Sequence, residues 1–159
     1  MRKNGFTLIE LLVVIAIMSI LTVITVSQFG VAQKRSRDVA RKADLNSLSK
    51  ALLNYYADYG YFPAKDEIAW EEEFTDDPGY VYMKVVPTEN SEGKSKYCYA
   101  VTAEADKFAL FSILENEEDG EYNKYNEGED YDPDVLSLCA GNDYNFMIVS
   151  PNAEYEDFK

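Results

Sequence analysis

Glu10 opens a long uncharged stretch: no Asp, Glu, Lys or Arg occurs from residue 11 to residue 33, and residues 11–26 read LLVVIAIMSILTVITV. A carboxylate beside such a run is costly in an apolar medium, by about 2.5–3.5 kcal/mol at the centre of a membrane helix and less near its end. With no local partner evident, its chemistry is that of half an ion pair, waiting for a cation supplied from elsewhere. Few other groups stand ready to react. The chain has no His, which removes the commonest general base and the commonest metal ligand. No Gly-x-Ser-x-Gly, Ser-x-x-Lys or Gly-rich phosphate loop occurs, and nothing singles out a carboxylate pair for glycoside chemistry. No catalytic constellation stands out in the sequence.

Two further sets of residues carry chemistry. Cys98 and Cys139 are the two cysteines. They are unrelated thiols in a cytosolic chain and one disulfide in an exported one, where closing a loop of this length contributes about 4 kcal/mol in the chain-entropy model. Residues 115–134, ENEEDGEYNKYNEGEDYDPD, form the most acidic stretch, and oxygen-rich loops of this kind can cage calcium. An EF-hand frame starting at Glu115 places Gly120 correctly but puts Asn126 where the bidentate Glu belongs, so that motif fails. Asp130, Asp132 and Asp134 remain the calcium candidates on carboxylate density alone, against the plainer and preferred reading of a solvated loop.

The elements that must position these groups follow from pattern. At 159 residues the chain fits one modest domain with an appendage. Of its 15 Lys and Arg and 29 Asp and Glu, seven bases but only two acids precede residue 43. A basic stem therefore carries a strongly acidic head, which nucleic acid and anionic lipid would repel. At 1.5 Å per residue the uncharged run makes a helix of about 35 Å, enough to cross a hydrocarbon layer of about 30 Å, so a transmembrane segment is expected. A removable signal peptide or a plain anchor is the simpler form of that expectation, since Arg2 and Lys3 give a positive flank and Gly30-Val31-Ala32 a small-x-small cleavage pattern. Neither has a use for Glu10.

Beyond the run, Leu45, Leu48, Leu52, Tyr55 and Tyr59 recur at spacings of three and four, the stripe of an amphipathic helix. Gly60 caps it and Pro63 stops it. One helix from near Phe6 to Tyr59 is predicted. In the head, residues 80–86, 97–102 and 108–114 read as strands of an antiparallel meander, with residues 145–149 as a fourth. Residues 64–79 are the expected loop, with Trp70 and Phe74 packing on the sheet. The tyrosines around Tyr55, Tyr59 and Tyr61 are read as packing of stem on sheet and not as an electron path.

Residues 3–12, KNGFTLIELL, resemble the processing signature of type IV prepilins and of the pseudopilins of type II secretion. A short basic leader ends in Gly, Phe follows, Glu stands five residues beyond the Gly, and a long apolar helix comes next. The resemblance implies cleavage by a prepilin peptidase between Gly5 and Phe6, N-methylation of Phe6, and assembly in which Glu10 of one subunit neutralises the Phe6 ammonium of a neighbour. Two charges about 4 Å apart attract by about 4 kcal/mol at an effective dielectric of about 20, partly offset by desolvation. Residues 42–63 also look like the family's stem, most of all that of G-type major pseudopilins, which often end in Y-x-x-x-x-G-x-Y/F-P. The two matches cover about the first 60 residues, and the head resembles no family. Many members carry Gly where Ser19 stands and Pro where Ser27 stands, features tied to helix melting on assembly; this chain has neither.

The expected fold is accordingly α+β and pilin-like: a long N-terminal helix, transmembrane in its first half and amphipathic in its second, packed on a small antiparallel sheet. Its divisions are a leader (1–5), a transmembrane and filament-core helix (6–33), an amphipathic stem (34–62) and an acidic head with three or four strands (63–159). The bases of residues 34–42 would place the head in the cytoplasm by the positive-inside rule; the resemblance implies the opposite side and is followed. In a filament these bases form either a solvated collar or a surface facing the acidic head of a neighbour. The implied function is a structural subunit of a type IV pilus or of a G-type pseudopilus. The alternative is a membrane-tethered extracytoplasmic binding module, with calcium as its candidate ligand, that does not polymerise. Implied partners are identical or homologous subunits, the prepilin peptidase and methyltransferase and an inner-membrane assembly platform, with no nucleic acid. The implied location is a single-pass membrane protein, then a cell-surface or periplasmic filament. Export favours the Cys98–Cys139 disulfide.

Overall fold

One helix organises the chain. The computed structural model describes residues 6–76, 79–91, 94–95, 97–122, 139 and 144–158, without the side chains of residues 24–28, 90–91, 94–95 and 155–156. Within it α1 spans Leu8–Tyr59. It stops where Gly60 takes a φ of 78° and donates its N–H to the Tyr56 carbonyl at 2.7 Å, a left-handed cap that suits a residue without Cβ.

The two halves of α1 have different surroundings. Every described side chain from residue 6 to residue 37 is exposed, whereas Leu45, Leu48 and Leu52 are fully buried and Tyr55 nearly so. The stripe at spacings of three and four is thus the face that meets the head. The expected transmembrane half is corrected. Among the described residues no helix is long and apolar enough to cross a membrane. The exposed apolar side chains of α1 run through residues 11–23. Within that stretch Ser19 and Thr22 donate their hydroxyls to the carbonyls of Ile15 and Met18, each at 2.7 Å. The single-pass anchor and the membrane location expected from the sequence fall with it.

The head is a set of small antiparallel sheets. A short 3-10 turn, Lys65–Glu67, leaves the stem. Then β1 (Phe74–Thr75) pairs with β2 (Val81–Met83), and β3 (Asn90–Ser91) with β4 (Lys94–Ser95). The main sheet runs in the order β5 (Cys98–Val101), β6 (Phe108–Ser112), β7 (Phe146–Val149). Its register pairs Cys98 with Phe111 and Val101 with Phe108 on one side of β6, and Ala109 with Val149 on the other. Residues 80–86 do not join this sheet as the expected meander requires. They turn back locally: Asp76 accepts the N–H groups of Gly79 (3.0 Å) and Tyr80 (2.5 Å), and Gly79 takes a φ of 99°. Such a short closure costs little chain entropy and outcompetes pairing with a distant strand.

Both faces of the main sheet are covered, which is why β6 reads as a continuous apolar run. Tyr99, Phe108, Leu110 and Phe146 face α1 and pack with Leu45, Leu48, Leu52, Phe62 and Phe74. Cys98, Ala100, Ala109, Phe111 and Met147 form a second cluster closed by Phe158. Phe74 is buried and Trp70 half-buried against the first cluster, as expected for the loop that joins helix to sheet.

Candidate functional site

At the tip of α1, Thr7 and Glu10 form a reciprocal capping box. The Glu10 carboxylate accepts the Thr7 N–H at 2.8 Å and its hydroxyl at 2.7 Å, while Thr7 Oγ1 accepts the Glu10 N–H at 3.3 Å. Glu10 therefore has a local partner, contrary to the reading of an acid without one. The Thr7-x-x-Glu10 spacing was the signal for it. The hydrogen bonds from Thr7 hold the carboxyl below its ordinary range, and its negative charge lies favourably at the helix N-terminus. Around it, Phe6, Ile9, Val13 and Val14 line a shallow groove with Glu10. Phe6 is 78% exposed; Gly5 lies outside the described residues.

Further along α1, the collar of bases folds onto the head of its own chain. Asp38 and Arg41, one turn apart, are both buried. The Arg41 guanidinium bonds Asp38, Glu89 and Glu115, with Nε 2.7 Å from Glu89. Asp38 in turn accepts the backbone N–H groups of Glu115 (2.9 Å) and Asn116 (2.8 Å). Around this centre Arg37 grips Glu115 through Nε at 2.9 Å, Lys42 bonds Asp119 at 2.7 Å and Glu121 at 2.7 Å, and Arg35 meets Glu118 at 3.0 Å. Buried charge survives only when paired and hydrogen-bonded, and here it is both. Arg35, Arg37, Arg41 and Lys42 thus meet acids of their own chain, with Arg41 buried and Arg35 and Arg37 still exposed.

The electrostatics follow. Glu115 is brought down to about 2 by its hydrogen bonds from Arg37 and, against the cost of burial, from Arg41. Burial works against the Arg41 charge, but its carboxylate partners outweigh it and raise its pKa. Asp119 is lowered by Lys42. The start of the acidic stretch is thus a strap docked through Glu115 and Asp119, with residues 117, 118, 120 and 121 exposed. Its entry is held by Asn145, whose side chain accepts from Leu114 N at 2.6 Å and donates to Leu114 O at 3.0 Å. No sequence signal marked that contact.

The other expected site residues divide. Asp130, Asp132 and Asp134 lie outside the described residues, and among the described residues no group of three or more His, Cys, Asp or Glu is arranged to hold a metal. Cys98 and Cys139 are joined in a disulfide, with Cα atoms 5.7 Å apart across 41 residues. It ties Cys139 to β5 beneath the second cluster. Tyr55 packs on Tyr59, Tyr61, Phe74 and Tyr82 with ring centroids 4.6–5.9 Å apart, where stem meets head.

A long N-terminal helix with a bare apolar half, packed by its other half on small antiparallel sheets, defines a pilin-like protein. The prokaryotic N-terminal methylation motif matches residues 1–26. A type IV major pilin protein PilA of Myxococcus xanthus is 33% identical over 104 residues, 65% of this chain and 39% of its own length. A type IV wide pilus major component PilA4 of Thermus thermophilus is 32% identical over 97 residues, 61% of this chain and 71% of its own. No solved structure matches. The chain belongs to the type IV pilin-like family, and with it is a structural protein and not an enzyme.

Proposed function

We propose that the chain is a subunit of a type IV pilus-like filament, matured by cleavage between Gly5 and Phe6 and by methylation of Phe6. The observation that carries this reading is the bare end of α1. From Leu8 to Val23 large apolar side chains are exposed, Leu8 at 85% and Val23 at 72%. An apolar surface of that extent is a surface for other proteins, and copies of the same helix satisfy it by bundling. Glu10, exposed at its tip, supplies the anion for the Phe6 ammonium of a neighbour once the leader is removed. The names of both relatives favour a pilus over a pseudopilus. The partners of this reading are like subunits, a prepilin peptidase with its methyltransferase, and an assembly platform.

The test separates charge from capping. Glu10→Gln keeps a capping side chain, since Gln serves at that position of the box, but removes the anion. The variant is expected to accumulate processed monomer with unchanged helix content and to form few filaments by electron microscopy. Filaments at the wild-type level would remove the proposed pairing. Mass spectrometry of the mature terminus must show N-methylated Phe6; a chain retaining Met1 in its native cell would exclude the processing step.

A further inference from the structure

We propose that copies of this chain stack head to collar, the tyrosine end of one receiving residues 29–39 of the next, a contact that rests on the filament reading. Beyond Val23 the exposed large apolar side chains among the described residues fall into two groups. Phe29, Val31 and Val39 form one, on α1 beside the exposed bases Lys34 and Arg35. Tyr59, Tyr61, Tyr80, Val81 and Val85 form the other, at the end of α1 and along the segment that holds β2. The tyrosines there make one surface. Tyr59 and Tyr61 have ring centroids 5.9 Å apart, Tyr59 and Tyr82 both donate their hydroxyls to Asp76, and Tyr80 packs on Tyr82 at 4.8 Å. Asp76 and Asp58, which accepts the Tyr82 hydroxyl at 2.8 Å, set negative charge among the rings.

Two unlike patches are what a filament needs. A contact between identical faces closes into a dimer, whereas a row of copies grows only when one face of each fits a different face of the next. Here both faces are apolar, with bases in the collar and carboxylates among the rings, so a tyrosine end matches the collar of a second copy better than another tyrosine end. Tyr and Arg are also the residue types that anchor protein interfaces. Arg35 is open to that role, because its pair with Glu118 has both side chains largely exposed and holds it weakly. Spacing agrees. Residues 34 to 58 of the unbroken helix α1 span about 36 Å, so stacked copies are displaced along it by about that length. The bare stretch of one copy then runs beside the stem of the other, where of the exposed residues 43, 46, 47, 50, 54 and 57 only Lys50 is charged.

Charge exchange across the contact tests it, in the full chain made in its native cell. Lys34→Glu and Asp58→Lys both alter exposed residues, and Tyr82 keeps Asp76 as an acceptor in the second. Filaments are counted by electron microscopy and sedimentation, with Tm and helix content of the dispersed subunit measured in parallel. Each reversal alone should lower the assembled fraction several-fold at unchanged Tm, and the two together should restore most of it. Single reversals that assemble like wild type, or a double variant no better than either single, would overturn the contact and leave the filament reading standing. A wild-type chain that forms no filaments removes both. Should a reversal unfold the subunit, Val31→Cys combined with Tyr61→Cys decides the matter without touching charge. Filaments of that chain treated with a thiol-reactive cross-linker should give a ladder of linked subunits on a denaturing gel, and neither cysteine alone should do so. Filaments without a ladder would overturn the contact.

Discussion

Arg41 ties stem to head at their buried ionic contact, because it is buried with Asp38 and reaches two carboxylates from the head. Removing one member of a buried ion cluster leaves the others uncompensated and costs about 3–5 kcal/mol. Arg41→Ala should therefore lower stability by that amount in denaturant unfolding. Arg35→Ala, whose pair with Glu118 has side chains 58% and 76% exposed, should cost under about 1 kcal/mol. Equal effects would mean that burial does not set the strength of the clamp. Arg41→Lys is not a conservative exchange, since one ammonium cannot reproduce the two-pronged grip on Glu89.

At the scale of the element, α1 owes its far end to one backbone conformation. Gly60 sits at a φ of 78° with open space where a Cβ would lie, so a side chain there meets no clash and only conformational strain. Gly60→Ala is expected to destabilise the head by roughly 1–2 kcal/mol through the left-handed conformation alone, read as a fall in Tm with the helix content intact. A larger loss would point to a packing role that the open space does not suggest. The cap also directs the chain into Phe62, which packs on Tyr56 and Phe108, and so begins the core at the point where the helix stops.

The whole molecule is a basic rod gripped by an acidic head, and acid should loosen the grip. Glu115 titrates about 2 in the fold against an ordinary value of 4.5, and Asp119 is lowered as well. The stability such carboxylates contribute is complete above about pH 4.5 and is lost as pH falls through about 2. The amides of Glu115 and Asn116, which donate to Asp38, report the contact directly. Their hydrogen-exchange protection, corrected for intrinsic rate, should stay constant above pH 4.5 and decline toward pH 2. Protection that persists unchanged to pH 2 would show that the strap is held by something other than these ion pairs.

The local grammar of the chain determined much on its own. The stripe Leu45, Leu48, Leu52, Tyr55, Gly60 and Pro63 placed the stem, the apolar runs placed β5, β6 and β7, and the Gly5-Phe6 to Glu10 motif pointed to the family. These signals act within a few residues, where periodicity and capping operate without reference to the rest of the fold. The Glu10 cap was equally legible in Thr7-x-x-Glu10. Only the tertiary structure decided that the bases of the stem meet acids of the same chain. Arg41 and its partners Glu89 and Glu115 lie 48 and 74 positions apart, and with 29 carboxylates to choose from no spacing rule selects those two. It likewise decided that residues 80–86 close a ribbon against the aromatic end of α1 instead of joining the main sheet, because strand partners are chosen by the path of the chain and the cost of closing it, and β-propensity is blind to both.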